Sequence, residues 1–265
     1  MNKQVFTLQQ RQLCNVKQRW RITPSVRELR ELKGVGHGLP AKHRVFGFEC
    51  DAGLPFGTDI AQLTLLQGEN LFIQGPSGCG KSTLLGMLAG VIEVSHGQLE
   101  VLGQDMVKLS SVGRDRLRGE HMGVIFQQFN LLPYLDVQAN VLLPTRLFPS
   151  RASAAEQEWG SAEQQALHLL QTLGLPQAVW QQSVNQLSVG QQQRVAAVRA
   201  LMGSPRLVIA DEPTSALDDA NQLEFLDLLL STARRQAASV VMVSHNAHLA
   251  QRFDRMFAMP LRGRP

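Results

Sequence analysis

The sequence predicts an α/β core interrupted by a helical insertion, and three observations lead there. Apolar runs of strand length occur at Leu71-Phe-Ile-Gln74, Leu207-Val-Ile-Ala210 and Ser239-Val-Val-Met-Val243. Unbroken runs of this kind suit strands covered on both faces. The first run enters a glycine-rich turn and then a helix, and a helix separates the other two. From about Asn130 to Asn185 the strand signals vanish and a helical period replaces them.

The elements follow in chain order. Val45 to Cys50 and Gln62 to Leu66 alternate in polarity like short half-buried strands, and Gly68-Glu69 makes a turn before the strand 71–74. Lys81 to Ala89 starts a helix whose buried face holds Leu84, Leu85 and Leu88. Leu99 to Leu102 and Val124 to Phe126 read as strands, the latter ending at Gln127. Within the insertion, Ala166, Leu169, Leu170 and Leu173 share one side of a helix over 162–173, and Pro133, Pro144, Pro149 and Pro176 punctuate the segment. A further helix spans about 220–236.

Composition narrows the function. At 265 residues and 44% hydrophobic content the chain fits one large domain, or one with an inserted subdomain. No apolar run reaches the roughly 18 residues that cross a bilayer, and the start lacks the apolar stretch of a secretory signal. Three widely spaced cysteines, Cys14, Cys50 and Cys79, suit a reducing compartment. The net charge of +4 is uneven. Residues 1–50 hold ten basic and three acidic side chains, which leaves the remainder net acidic. Residues 1–44 form a basic N-terminal extension, which reads either as an arm for anionic lipid or a partner, or as a solvated extension. With the basic residues outside the core and no stacking platform, nucleic acid is not an expected partner.

The chemistry begins at Gly75-Pro76-Ser77-Gly78-Cys79-Gly80-Lys81-Ser82, followed by Thr83. A Gly-x4-Gly-Lys-Ser string between a strand and a helix cradles phosphates. Its glycines let backbone N–H groups point inward, and the helix N-terminus favours negative charge. Lys81 can reach the β and γ phosphates of a nucleoside triphosphate, and the Ser82 hydroxyl suits Mg²⁺. Cys79 reads as a small filler or, alternatively, as a redox-sensitive thiol.

Asp211 and Glu212 end a buried strand. One carboxylate there can support Mg²⁺ and the next can act as general base on an attacking water; Asp211 is assigned to the metal and Glu212 to the base. His245 follows another buried strand and can hydrogen-bond the γ-phosphate, while Gln127 offers an amide to Mg²⁺ and to water. Leu187-Ser188-Val189-Gly190-Gln191 opens a second helix with an N-cap serine and a glycine permitting close approach. Two phosphate-binding helix starts suggest that one nucleotide is gripped from two sides.

These strings together resemble an ATP-binding-cassette (ABC) ATPase subunit over roughly residues 45–262. In family order they are Gly75 to Ser82 (Walker A), Gln127 (Q-loop), Leu187 to Gln191 (signature), Leu207 to Glu212 (Walker B), Ser215-Ala-Leu-Asp218 (D-loop) and His245 (H-loop). The resemblance implies a P-loop NTPase (RecA-like) core with an antiparallel β subdomain and an α-helical subdomain at about 130–185. It implies a head-to-tail dimer in which Ser188, Gly190 and Gln191 of one copy meet the ATP on the other's Walker A, with Asp218 at the seam. It further implies an integral membrane permease as partner, a peripheral place on the cytoplasmic face of the inner membrane, and no appended C-terminal regulatory domain. The stretch Val124 to Pro133 with Asn140-Val141 is similar to the subgroup serving lipoprotein release, macrolide export and the cell-division-associated pair, although the D-loop has Ser-Ala where much of that subgroup has Gly-Asn. A non-transport ABC ATPase acting on a membrane assembly, or a cassette that binds without hydrolysing, are the competing readings. Val189 stands where the family has a first glycine. The resemblance also implies an adenine-stacking aromatic, Phe48 or Phe56, each of which reads equally as a buried core residue.

Overall fold

A computed structural model describes residues 44–49, 62–94 and 97–259. The N-terminal extension, and the side chains of Phe48 and Phe56, lie outside what it describes. Two sheets form. The antiparallel one takes β1 (Arg44–Glu49), β2 (Gln62–Leu66), β4 (Gln98–Val101) and β5 (Gln104–Asp105) in the order β2-β1-β4-β5. The other is parallel and contains β3 (Asn70–Gln74), β6 (Met122–Ile125), β7 (Leu207–Asp211), β8 (Ser239–Val243) and β9 (Arg255–Ala258), ordered β6-β7-β8-β3-β9.

The parallel strands are apolar throughout because both faces are covered, and their two-residue period divides the core. Leu71, Ile73, Leu207, Ile209, Val241 and Val243 face one side. There they pack with helix α1 (Lys81–Leu88) and with Phe46, Leu63, Leu65, Leu99 and Val101 of the antiparallel sheet. Phe72, Val208, Ala210, Val240 and Met242 face the other side, against α6 (Val189–Leu201) and α7 (Asp219–Arg235). The buried Leu84, Leu85 and Leu88 of α1 are those the periodicity predicts, joined by Met87.

Helix α2 (Ser111–His121) runs into β6. Between β6 and α6 lie α3 (Val137–Leu147), α4 (Pro149–Trp159) and α5 (Ala162–Thr172), then short 3₁₀ turns at Gln177–Val179 and Val184–Gln186. Ala166, Leu169, Leu170 and Leu173 are buried. Short polar caps start these helices: Ser110, Asp136 and Ser161 each accept a backbone N–H one turn on. Pro149 sits at the first position of α4, where a missing N–H costs nothing. Asn140, fully buried, donates to the carbonyls of Leu132, Leu135 and Asp136 and accepts from Leu132 N, which fixes the loop entering α3.

Strand β6 ends at Ile125 rather than at Gln127. Phe126 leaves the sheet for a turn in which Phe129 N donates to its carbonyl at 3.0 Å, and Phe129 and Asn130 take left-handed backbone (φ 59° and 48°). At the other end β6 begins with Met122-Gly123, and a Cβ built on Gly123 would lie 2.1 Å from the Ala200 carbonyl oxygen. Glycine therefore lets α6 lie against β6. Gly123→Ala should destabilise the protein by about 2–3 kcal/mol, read as a lower urea midpoint at unchanged slope. A loss below about 0.5 kcal/mol would contradict this packing.

Candidate functional site

Parallel pairing puts the carboxyl ends of β6, β7, β8 and β3 along one edge, and ligand-binding loops leave such sheets from that edge. Register keeps the ends level: Ile125 opposes Ala210, Asp211 opposes Val243, and Val243 opposes Ile73. Gln127, Asp211-Glu212, His245 and the loop 75–80 all follow these ends within a few residues.

The loop 75–80 needs its glycines for different reasons. Gly78 and Gly80 take left-handed backbone, φ 78° and 97°. Gly75 needs space instead: a Cβ there would lie 2.6 Å from Cys79 Sγ and 2.8 Å from Met259 Cβ. Pro76, Ser77 and Gly78 form an exposed rim while Cys79 turns inward, 4% exposed, into the core beneath α1. The thiol is a packing group in this fold, the first of the two readings above. Lys81 Nζ donates to the carbonyls of Gly75 (2.8 Å) and Pro76 (2.9 Å), so the cation lies across its own loop.

Ser82, exposed on the first turn of α1, lies beside the Asp211 carboxylate. Burial raises the Asp211 carboxyl above its usual range; the Ser82 hydroxyl opposes this, Glu212 adds to it, and Lys81 opposes it. Ionising this group against its own burial suits a neighbouring cation. Among the described residues no three His, Cys, Asp or Glu side chains form a metal cluster. Mg²⁺ is compatible with that, since it takes one or two protein oxygens with phosphate and water, and the Ser82 hydroxyl beside the Asp211 carboxylate offers such a pair.

Glu212 has a left-handed backbone (φ 48°), and its N–H donates to the Val243 carbonyl at 3.0 Å. That turn carries its side chain to His245, whose Nδ1 lies 2.7 Å from Oε2. Glu212 is shielded, with 15% of its side chain exposed, while His245 stands in solvent at 71%. Gln127 is exposed two residues past the end of β6.

Ser188, Gly190 and Gln191 lie at the start of α6. Ser188 caps α6: its hydroxyl accepts from Gln191 N (3.3 Å), and the Gln191 side chain accepts from Ser188 N (2.9 Å). Val189 and Gly190 are the first two helical residues, whose N–H groups have no partner in their own helix. Val189 is half exposed, and at a helical position valine carries no left-handed strain. A Cβ on Gly190 would lie 3.2 Å from Leu217 Cδ2, so the start of α6 rests on the 215–218 segment. Asp218 caps α7, accepting from Asn221 N (3.0 Å) and Nδ2 (2.6 Å); the backbone bond chiefly holds its carboxyl below the usual range.

Three contacts were beyond sequence reasoning: the Glu212–His245 bond, the packing of Leu217 on Gly190, and Arg199. Arg199 donates to the carbonyls of Asn130 (2.7 Å) and Phe129 (2.6 Å), pinning the turn after Gln127. An arginine inside the largely apolar 195–201 run was the one visible signal for the last.

The Gly75–Cys79 contact yields a test. Gly75→Ala should weaken ATP binding by about tenfold or more, and adding Cys79→Ala should restore part of it. Equal affinity of Gly75→Ala and the parent, measured with a fluorescent ATP analogue, would contradict the steric account.

Comparison with known proteins agrees with this arrangement. A family model described as ABC transporter matches residues 58–215. The chain is 40% identical over 194 residues to the uncharacterized ABC transporter ATP-binding protein YbbA of Escherichia coli (strain K12), covering 73% of this chain and 82% of that one. It is 37% identical over 201 residues to the lipoprotein-releasing system ATP-binding protein LolD of Xanthomonas axonopodis pv. citri (strain 306), covering 76% and 79%. The ATP-binding cassette MJ0796, solved as a dimer in a post-hydrolysis state bound to ADP and Pi, superposes with a TM-score of 0.67 at 29% identity, covering 81% of this chain and 94% of that one. The chain therefore belongs to the ABC transporter ATP-binding family and is an ATP-hydrolysing subunit of an ABC transporter.

Proposed function

We propose that two copies of this chain act head to tail beneath an integral membrane permease, on the cytoplasmic face of the cell membrane, binding and hydrolysing Mg²⁺-ATP to drive an exporter or extractor. The observation that carries the reading is the meeting of Lys81, Ser82 beside Asp211, and the Glu212–His245 pair at one sheet edge, with a second capped helix start at Ser188 whose first N–H groups have no partner in their helix. The edge holds one half of a nucleotide site and the Ser188 face holds the complementary half, so a second copy completes each. The likeness to LolD supports an extracting or exporting partner. No helix among the described residues is long and apolar enough to cross a membrane, so on this reading the membrane path belongs to the permease.

In this reading the N–H groups of residues 75–83 and Lys81 hold the β and γ phosphates, Lys81 exchanging its loop carbonyls for phosphate oxygens. Ser82, Asp211 and Gln127 would hold Mg²⁺, which would neutralise charge on the phosphates. Glu212 takes the proton of the attacking water, and His245 orients both Glu212 and the γ-phosphate. Ser188, Gly190 and Gln191 approach the partner copy's ATP, and Asp218 lies at the seam. A dead cassette would need neither the shielded Glu212 nor its His245 partner, and the transporter names of the relatives favour transport over a non-transport role.

Measured on the protein with its membrane partner, Glu212→Gln should lower kcat at least about 100-fold while ATP still binds. Lys81→Ala should lose turnover through lost phosphate binding. Turnover surviving either substitution would overturn the corresponding role.

A further inference from the structure

One charge far from the nucleotide edge is buried without an ionic partner among the described residues. Arg151, in the first turn of α4, is 2% exposed. Each of its nitrogens donates to a carbonyl of a different residue: Nε to Gly119 (2.7 Å), Nη1 to Met202 (2.6 Å) and Nη2 to Met122. Gly119 lies in the last turn of α2, Met122 is that helix's C-cap, and Met202 is the C-cap of α6. The negative ends of two helices thus take the place of a carboxylate. Burial lowers the guanidinium to about 10, which still leaves it charged at neutral pH.

The socket is shaped for this segment. A Cβ on Gly119 would fall 2.0 Å from the Phe148 ring, just before α4. A Cβ on Gly203, whose φ is 67°, would fall 2.5 Å from Arg151 Cβ. The same turn is held from α5, where the Gln165 side chain accepts from Gly203 N (2.8 Å), and from α4, where Glu158 accepts from Ser204 Oγ (2.7 Å). Met122 is also the first residue of β6, which leads to Gln127. Met202 closes α6, which starts at the Ser188 cap. Thirteen helical residues span roughly 20 Å, over which a tilt of about 3° moves the far end by about 1 Å.

We propose that Arg151 is a positioning residue for ATP turnover: it joins the ends of α2 and α6 to the start of β6 and so fixes Ser188 relative to Gln127. The proposal rests on the assignment above of Gln127 to the chain's own nucleotide and Ser188 to the partner's. Arg151 then sets the geometry between the two half-sites that each copy contributes. A lysine cannot reach three divergent carbonyls with one nitrogen, and a methionine leaves all three unpaired.

The test uses the full chain with R151K and R151M, corrected for folded protein. ATP affinity should stay within about twofold, and kcat should fall between about 10- and 100-fold, with R151K between R151M and the parent. In the nucleotide-free protein, amide hydrogen exchange should quicken at residues 122–130 and 188–195 and not in α1. Unchanged kcat per folded molecule, or exchange that rises evenly or not at all at 188–195, would overturn the proposal. Should R151M fail to fold, R151K gives the same readings. A parent chain without turnover would instead fault the assigned site, while the exchange pattern would still judge the joint.

Discussion

Parallel pairing of β6, β7, β8 and β3 is the constraint on which the rest depends. Strands that run the same way must end on the same side, so their polar successors collect there whatever the length of the connections between them. The register holds those ends within about a residue of one another. From this come the placement of Ser82 against Asp211, the turn that carries Glu212 to His245, and the exposure of Gln127. The two faces of the sheet must both be covered for such pairing to persist. That is why α1 with the antiparallel sheet, and α6 with α7, occupy opposite sides.

Several of the site's groups are already occupied by another part of the chain. Lys81 donates to its own loop, Glu212 pairs with His245, and Ser188 exchanges bonds with Gln191. Phosphate binding in this arrangement exchanges internal hydrogen bonds for stronger charge-assisted ones. The unpartnered first N–H groups of α6 differ, because a helix start cannot satisfy them from within. An outside group can satisfy them, and this gives the Ser188 end of α6 a reason to meet a second copy.

Much of this was legible in the sequence, and the failures have physical causes. Strands 62–66 and 239–243 have the bounds their patterns predict. The strand β6 starts two residues earlier than its apolar run because Gly123, a poor strand former, is needed against Ala200. Helix α2 escaped notice because Leu117 is its one buried apolar residue; its other buried residue is Arg114, paired with Glu93. In α3 and α4 the prolines read as breaks, whereas Pro144 lies within a helix and Pro149 begins one. The motif residues of the site were visible because phosphate chemistry restricts residue type and spacing. Glu212–His245, Leu217–Gly190 and the Arg151 socket were not, since each joins residues whose meeting is set by tertiary packing.

The central claim is that the Lys81 edge and the Ser188 face serve different nucleotides in a pair of copies. Mixing measures it most directly: one copy carries Lys81→Ala, the other Ser188→Arg, and each alone is expected to lack ATP turnover. A head-to-tail pair of the two has one intact site, made from Lys81 of the second copy and Ser188 of the first. The account predicts that turnover, absent from either variant alone, returns on mixing. A mixture as inactive as its components, with mixed pairs shown to form, would contradict it.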